Sequence, residues 1–269
     1  MKKNFAKFLS SPYFAVGFPI LFFLVTFFLF MQANAVNYNL IEKYPIAKAQ
    51  DKKKIYYEFQ KEPPATWVNL SQISPYAIQS IVISEDWAFF DHDGLDINQL
   101  KNIIWEFLGS FHFNRGGSTI TQQVVKNLFL THERSYWRKL KEMIISYNLE
   151  KRFSKKRILE VYLNIIEFGP NVYGIENASL YYFKKPSQQL TLKEGAFLAM
   201  LLPNPKKYSE SYRINKLTDH ARETISDISI KLRQAKFITE EERVRALKQT
   251  FSWEKAGMEA QMSELWDSN

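Results

Sequence analysis

The chain has 269 residues, 46% hydrophobic and 24% charged, which excludes an extended disordered protein and suits one large domain or two small ones. A formal charge of +8 favours anionic partners: nucleic acid, a membrane surface or a phosphorylated substrate. There is no cysteine, which excludes disulfides and thiolate-built zinc sites.

Lys2, Lys3 and Lys7 precede an uncharged run from Pro12 to Ala33, whose centre, residues 19–31, reads PILFFLVTFFLFM. Spanning a bilayer takes about 20 apolar residues, so 12–33 is predicted as a single transmembrane anchor. The first charge after the run is Glu42. The positive-inside rule therefore puts residues 1–11 in the cytoplasm and the bulk of the chain on the outer, periplasmic face of the inner membrane. Ala33-Asn34-Ala35 also resembles a cleavage site, but the run is longer than a usual signal-peptide core, and a retained anchor is the expectation. Residues 34–59 read as a mixed, polar juxtamembrane connector. Its DKKK run at 51–54 fits lipid headgroups and solvent equally.

Ser74-Pro75 reads as an N-cap followed by proline at the first helical position, and Ala77, Ile78, Ile81 and Val82 give that helix one apolar face. It delivers Glu85-Asp86 into a stretch holding Trp87, Phe89 and Phe90. A carboxylate beside aromatic surface loses solvation, which raises its basicity; an acidic pair that ends a helix in solvent is the plainer alternative. Asp96 and Gln99 form a capping box for the next helix. That helix runs into an aromatic segment with Trp105, Phe107, Phe111 and Phe113, which reads equally as core or as interfacial. Gly116-Gly117-Ser118 opens another helix, with Ser118 as cap and backbone donors suited to an anion. Its buried stripe is Ile120, Val124 and Leu128, and Thr119, Gln122, Gln123 and Lys126 share the other face. Hydroxyls, amides and one cation are an inventory for holding a sugar and a phosphate.

In the helix that follows, Trp137, Leu140, Ile144 and Tyr147 read as the packed face, and Arg134, Arg138 and Lys141 as a cationic stripe with Glu142 set into it. The plain alternative is a surface helix with an Arg138–Glu142 ion pair worth a few tenths of a kcal/mol. Ser154 opens a helix with Ile158, Leu159, Tyr162 and Ile165 inward. Thr191 and Glu194 cap an apolar helix that Pro203-Asn204-Pro205 ends, and 217–248 holds one or two charged amphipathic helices with Thr239 and Glu242 as a cap. Residues 249–269 read as a polar, frayed tail. Strand signals are few. The sequence predicts a mainly α protein, with its helical domain at 60–248. His92, His112, His132 and His220 lack metal-ligand spacing, and a structural role is expected for each.

SEDWAFFDHDGLD, RGGSTITQQVVKNLFL and RKLKEMIISYNLEKRFSKKRILEVYLNIIEFGPNVYGIENAS together closely resemble the motifs of the peptidoglycan glycosyltransferases, the family that includes the glycosyltransferase domain of class A penicillin-binding proteins. The resemblance spans roughly residues 60 to 210, with long motifs in the expected order. With no Ser-x-x-Lys and Lys-Thr-Gly set downstream, it is to the monofunctional, membrane-anchored type. It implies a lysozyme-like helical domain that polymerises lipid II into β-1,4-linked glycan strands, inverting the anomeric carbon and releasing undecaprenyl pyrophosphate.

By that resemblance Glu85 is the base on the acceptor's 4-hydroxyl and Glu142 the second carboxylate. Glu142 can protonate the leaving oxygen, orient an arginine or help hold a divalent cation, and the sequence does not separate the three. Lys126, Arg134, Arg138 and Lys141 are the candidates for the phosphates, with Ser118, Thr119 and Gln123 contacting phosphate or sugar. No cofactor is assigned with certainty; Mg or Mn at the pyrophosphate is the option the family leaves open. Expected partners are lipid II, the growing strand, the membrane and other wall-synthesis proteins such as penicillin-binding proteins, with no nucleic acid. The alternatives are a muralytic glycosidase, which would need no dense cationic stripe, and a non-catalytic membrane-tethered scaffold, which would need neither Glu85 nor Glu142.

Overall fold

In a computed structural model the described residues are 17, 19–20, 23–24, 27–28, 31–51, 54–95, 117–130 and 135–256. Segment 1–11, most of the expected anchor, Lys52 and Lys53, the helix opening at Asp96, the aromatic segment from Trp105 to Phe113, His132, Arg134 and the chain beyond 256 lie outside them. The described members of the anchor are helical, and Ile20, Phe23, Leu24, Phe27, Phe28 and Met31 among them are exposed. Among the described residues no helix is long and apolar enough to cross a membrane.

The expected mainly helical character holds. Helix α1 spans Pro75–Glu85 and starts with proline at its first turn, where no intrahelical N–H is needed. Ser74 precedes it but makes no side-chain cap; its own N–H donates to the Ser187 carbonyl at 3.1 Å. Ala77, Ile81 and Val82 are buried as the apolar spacing requires. They meet α6, Leu192–Leu201, which the Thr191/Glu194 capping box opens and which is buried on nearly every side. The two helices approach so closely that a Cβ on Gly195 would lie 2.7 Å from the Ala77 Cα. Gly195→Ala must push two backbones apart, and a loss of about 1–3 kcal/mol in thermal unfolding is expected.

Helix α9, Asp219–Gln234, covers α1 and α6 with Ala221, Ile225, Ile228 and Leu232. Helix α10, Glu240–Lys248, begins at the predicted Thr239/Glu242 box. The buried ammonium of Lys193 on α6 donates to the Leu247 and Gln249 carbonyls, closing the C-terminal end of α10. The tail departs from expectation here. Phe251 and Trp253 are buried, stacked on each other at 4.8 Å, and Phe251 lies 5.3 Å from Phe197. Their aromatic area is withdrawn from water into the cluster around α6, which local sequence polarity does not reveal.

The connector also holds structure. A 3-10 turn over Tyr38–Glu42 leads into an antiparallel hairpin, β1 Tyr44–Asp51 and β2 Lys54–Gln60, with Tyr44 opposite Gln60 and Ala47 opposite Tyr57. On β2, Ile55, Tyr57 and Phe59 are half-buried while Tyr56 and Glu58 are exposed, the period of two that a one-sided strand needs. Segment 38–60 docks on α4, Lys155–Ile165. The Arg157 guanidinium donates to the Ile41 and Lys43 carbonyls, and the Tyr57 hydroxyl donates to the Ile165 carbonyl. Ser154 caps α4, and Ile158, Leu159, Tyr162 and Ile165 are buried as predicted. Further along, β3 Glu167–Gly169 and β4 Val172–Tyr173 pair briefly before α5, Ile175–Phe183. Short helices α7, Pro205–Tyr208, and α8, Glu210–Arg213, join α6 to α9.

Candidate active site

Glu85 is the last residue of α1, and helix α2, Ile120–Phe129, lies beside it. The cap of α2 is Thr119, in a reciprocal box with Gln122, so Ser118 is not the capping residue. Of the backbone donors at this helix start, Gly116 lies outside the described residues and those of the next turn are taken up inside the fold. The N–H groups of Thr119, Ile120 and Gln122 are satisfied by Gln122 Oε1, Asp86 Oδ2 and Thr119 Oγ1. The shared face of Thr119, Gln122, Gln123 and Lys126 also divides: Thr119 and Gln122 are buried, Gln123 is half-buried and Lys126 exposed.

Gln123 Nε2 donates to Glu85 Oε2 at 2.8 Å, and the Tyr162 hydroxyl donates to Gln123 Oε1 at 3.2 Å. Burial pushes the Tyr162 hydroxyl far up, so it stays protonated and fixes the amide with its nitrogen toward Glu85. Burial also raises the Glu85 carboxyl above the usual carboxylate range; the Gln123 hydrogen bond opposes this, the negative charge of Asp86 adds to it, and Lys126 opposes it. The direction agrees with the sequence reading, but its expected source does not. Trp87 and Phe90 are 71% and 56% exposed, and only Phe89 of the three aromatics is buried. Glu85 and Asp86 meet different partners. Asp86 is buried and accepts from the Ile120 N–H at 2.9 Å and from His92 Nε2 at 2.9 Å. His92 lies between Asp86 and Lys155.

Glu142 lies on α3, Tyr136–Glu150, which Ser135 caps. The packed face of α3 differs from the predicted one: Trp137, Leu140 and Tyr147 are exposed, while Glu142, Ile145, Ser146 and Leu149 are buried. A carboxylate can take the inward position because two cations meet it there. Glu142 Oε2 lies 2.7 Å from Arg138 Nη1, and Oε1 pairs with Lys139. With Glu142 at 1% exposure, this is not the weak surface pair that spacing alone allows.

Lys139, which the predicted stripe omits, belongs to the site as well. It also donates to Ser118 Oγ at 2.9 Å and Gln122 Oε1 at 3.4 Å. Its signal in the sequence is the i, i+3 spacing to Glu142. Lys141, one position from Glu142, makes no hydrogen bond or ion pair among the described residues, and Arg134 lies outside them. Between α2 and α3 sits the loop after Glu85. Gly94 has φ +79°, its carbonyl accepts from Thr119 Oγ1 at 2.8 Å, and a Cβ there would lie 2.8 Å from the Ser146 carbonyl oxygen. Only glycine fits.

Neighbouring residues of one helix therefore reach the two carboxylates: Gln123 touches Glu85, and Gln122 shares Lys139 with Glu142. The result is a helical domain with one carboxylate made basic by burial and another that holds two cations. A family model described as transglycosylase matches residues 52–243. A biosynthetic peptidoglycan transglycosylase of Mannheimia succiniciproducens is 46% identical over 154 residues, covering 57% of this chain and 63% of that protein. Its namesakes in Azoarcus sp. and Pasteurella multocida are 42% and 45% identical, covering 57% and 60% of this chain and 68% and 67% of theirs. The chain belongs to the transglycosylase family. It spans about two thirds of the length of these relatives.

Proposed function

We propose that the chain is a peptidoglycan glycosyltransferase that polymerises lipid II in cell-wall synthesis. The observation that carries this is the pair of unlike carboxylates on either side of the first turn of α2. Glu85 takes the proton from the acceptor's 4-hydroxyl as the oxygen attacks the anomeric carbon. The bond from that carbon to the pyrophosphate oxygen breaks, with inversion, and the electron pair leaves with the pyrophosphate. Arg138 and Lys139, with Lys126, Lys141 and Arg134, neutralise the charge that develops there. Ser118, Thr119 and Gln123 are the proposed sugar and phosphate contacts. Of the roles open to Glu142, orienting cations is the one its two ion pairs support.

The residues do not fit a divalent cation at Glu142, because two cationic side chains already face it. Among the described residues no cluster of acidic or histidine side chains is arranged to hold one. Segment 12–33 is proposed as a single-pass anchor in the inner membrane, with the catalytic domain on the periplasmic face. The exposed apolar series Ile20, Phe23, Leu24, Phe27 and Phe28 supports it, since lipid accepts such a surface more readily than water does.

The test is polymerisation of labelled lipid II by the purified full chain in detergent. Long, lysozyme-sensitive strands are expected; short, hydrolysed saccharides would favour the glycosidase instead. Gln123→Leu removes the hydrogen bond that lowers the Glu85 pKa. Activity requires ionised Glu85, so the acidic limb of the rate profile is expected at higher pH than in wild type.

A further inference from the structure

Four charged or titratable side chains that the chemistry above does not use form a closed circuit around the catalytic helix pair. Asp86 Oδ2 accepts the Ile120 N–H at 2.9 Å, and Asp86 Oδ1 lies 2.9 Å from His92 Nε2. On the other side of that imidazole, His92 Nδ1 faces Lys155 Nζ at 3.5 Å. Lys155, the first residue of α4, pairs with Glu150 Oε2 at 2.7 Å, and Glu150, the last residue of α3, accepts from the Thr121 hydroxyl. Thr121 follows Ile120, so the circuit returns to its start. Its side chains are secluded: those of Asp86, His92, Glu150 and Lys155 are 0%, 9%, 3% and 21% exposed. Lys155 also sits 4.4 Å above the Phe89 ring.

The partners fix the proton on His92. A carboxylate only accepts and an ammonium only donates, so Nε2 carries the hydrogen toward Asp86 and Nδ1 receives Lys155. Every hydrogen-bonded link is then a donor facing an acceptor, and the Lys155–Glu150 link is closed by charge alone, since Glu150 Oε2 has no hydrogen-bond partner. The circuit grips the first turn of α2 from two directions, through the Ile120 N–H and the Thr121 hydroxyl. It also grips the residue next to Glu85. Gln123 is one helical turn from Ile120, so any shift of that turn moves its amide against the Glu85 carboxyl.

We propose that His92, Lys155 and Glu150 are positioning residues for the reaction, which hold the first turn of α2 against the end of α1 and so set the Gln123–Glu85 contact. This rests on the reading of Glu85 as the base. The experiment compares full-length wild type, Lys155→Met, Lys155→Arg and Glu150→Gln in detergent with labelled lipid II, separating kcat from KM. A misplaced base costs on the order of 10- to 100-fold in rate. Lys155→Met and Glu150→Gln are expected to lose that much in kcat with KM unchanged, and Lys155→Arg, which keeps a donor on each side, to recover most of it. Unchanged kcat in Lys155→Met would overturn the proposal. So would a raised KM at constant kcat, which would make Lys155 a substrate contact.

Thermal unfolding gives a readout that survives failure of the functional reading. Lys155→Met and Thr121→Val touch different members of the circuit. The double variant is expected to melt with the worse single variant, because the circuit opens only once. Additive losses would overturn the circuit even if wild type polymerises nothing. Conversely, polymerisation that survives Glu85→Gln beside a coupled double variant would defeat the base assignment and leave the circuit standing.

Discussion

Glu85→Gln is expected to lower polymerisation by roughly 10²- to 10⁴-fold, the usual contribution of a positioned general base. The substitution keeps the shape of the side chain, and a glutamine oxygen at position 85 can still accept from Gln123 Nε2, so the site stays assembled. Stability should not fall with activity. Burial raises the folded-state pKa of Glu85, so this carboxyl stabilises the fold below its ordinary pKa, and that contribution is lost as pH rises through the raised value. At neutral pH the neutral amide is therefore expected to melt no lower than wild type. A variant that is dead and also unfolded would give the residue a structural role instead. Circular-dichroism melting alongside product formation separates the two.

Glu142→Gln is expected to cost about 10²- to 10³-fold in kcat, comparable to losing one fixed donor at a developing negative charge. The amide no longer holds Arg138 and Lys139 by charge, and the two cations lose their common anchor. Their side chains retain 19% and 32% exposure, so they relax toward water and the fold survives. The reverse change is harsher. Arg138→Met with Lys139→Met leaves the Glu142 carboxylate at 2% side-chain exposure without a counter-charge, and breaking a buried pair in that sense costs about 3–5 kcal/mol. Equal melting of the two variants would show that the carboxylate is not secluded as described.

The difference between those variants marks where the sequence was legible and where it was not. Helices α1, α4 and α6, and the boxes Thr191/Glu194 and Thr239/Glu242, depend on spacing within one turn or one stripe, and they form as read except that Ser74 makes no side-chain cap on α1. Glu85 and Glu142 both stand in the family's motifs, and α2 reaches the first directly through Gln123 and the second through Lys139. The face of α3 is not legible, because Trp137 and Leu140 look like core to any hydrophobicity pattern, whereas the buried position belongs to Glu142. Its burial depends on Arg138 and Lys139 meeting it in three dimensions. Asp86 likewise looks like a second candidate for chemistry until Ile120, 34 residues on, donates to it. The hairpin is hard to see because β1 mixes polar and apolar side chains on both faces even though β2 alternates, and Phe251 and Trp253 because the Phe197 ring, 54 and 56 residues earlier, packs against them. The cap of α2 is itself legible in the sequence: Thr119 and Gln122 carry the box signature one residue after Ser118.

The central claim is that Glu85 removes the acceptor proton with a pKa raised by burial, and the pH dependence of single-turnover strand extension on lipid II tests it most directly. In wild type the acidic limb is expected to follow one group titrating above the usual carboxylate range, and that limb should vanish from the residual rate of Glu85→Gln. An unchanged acidic limb in Glu85→Gln would contradict the account and move the base to another residue.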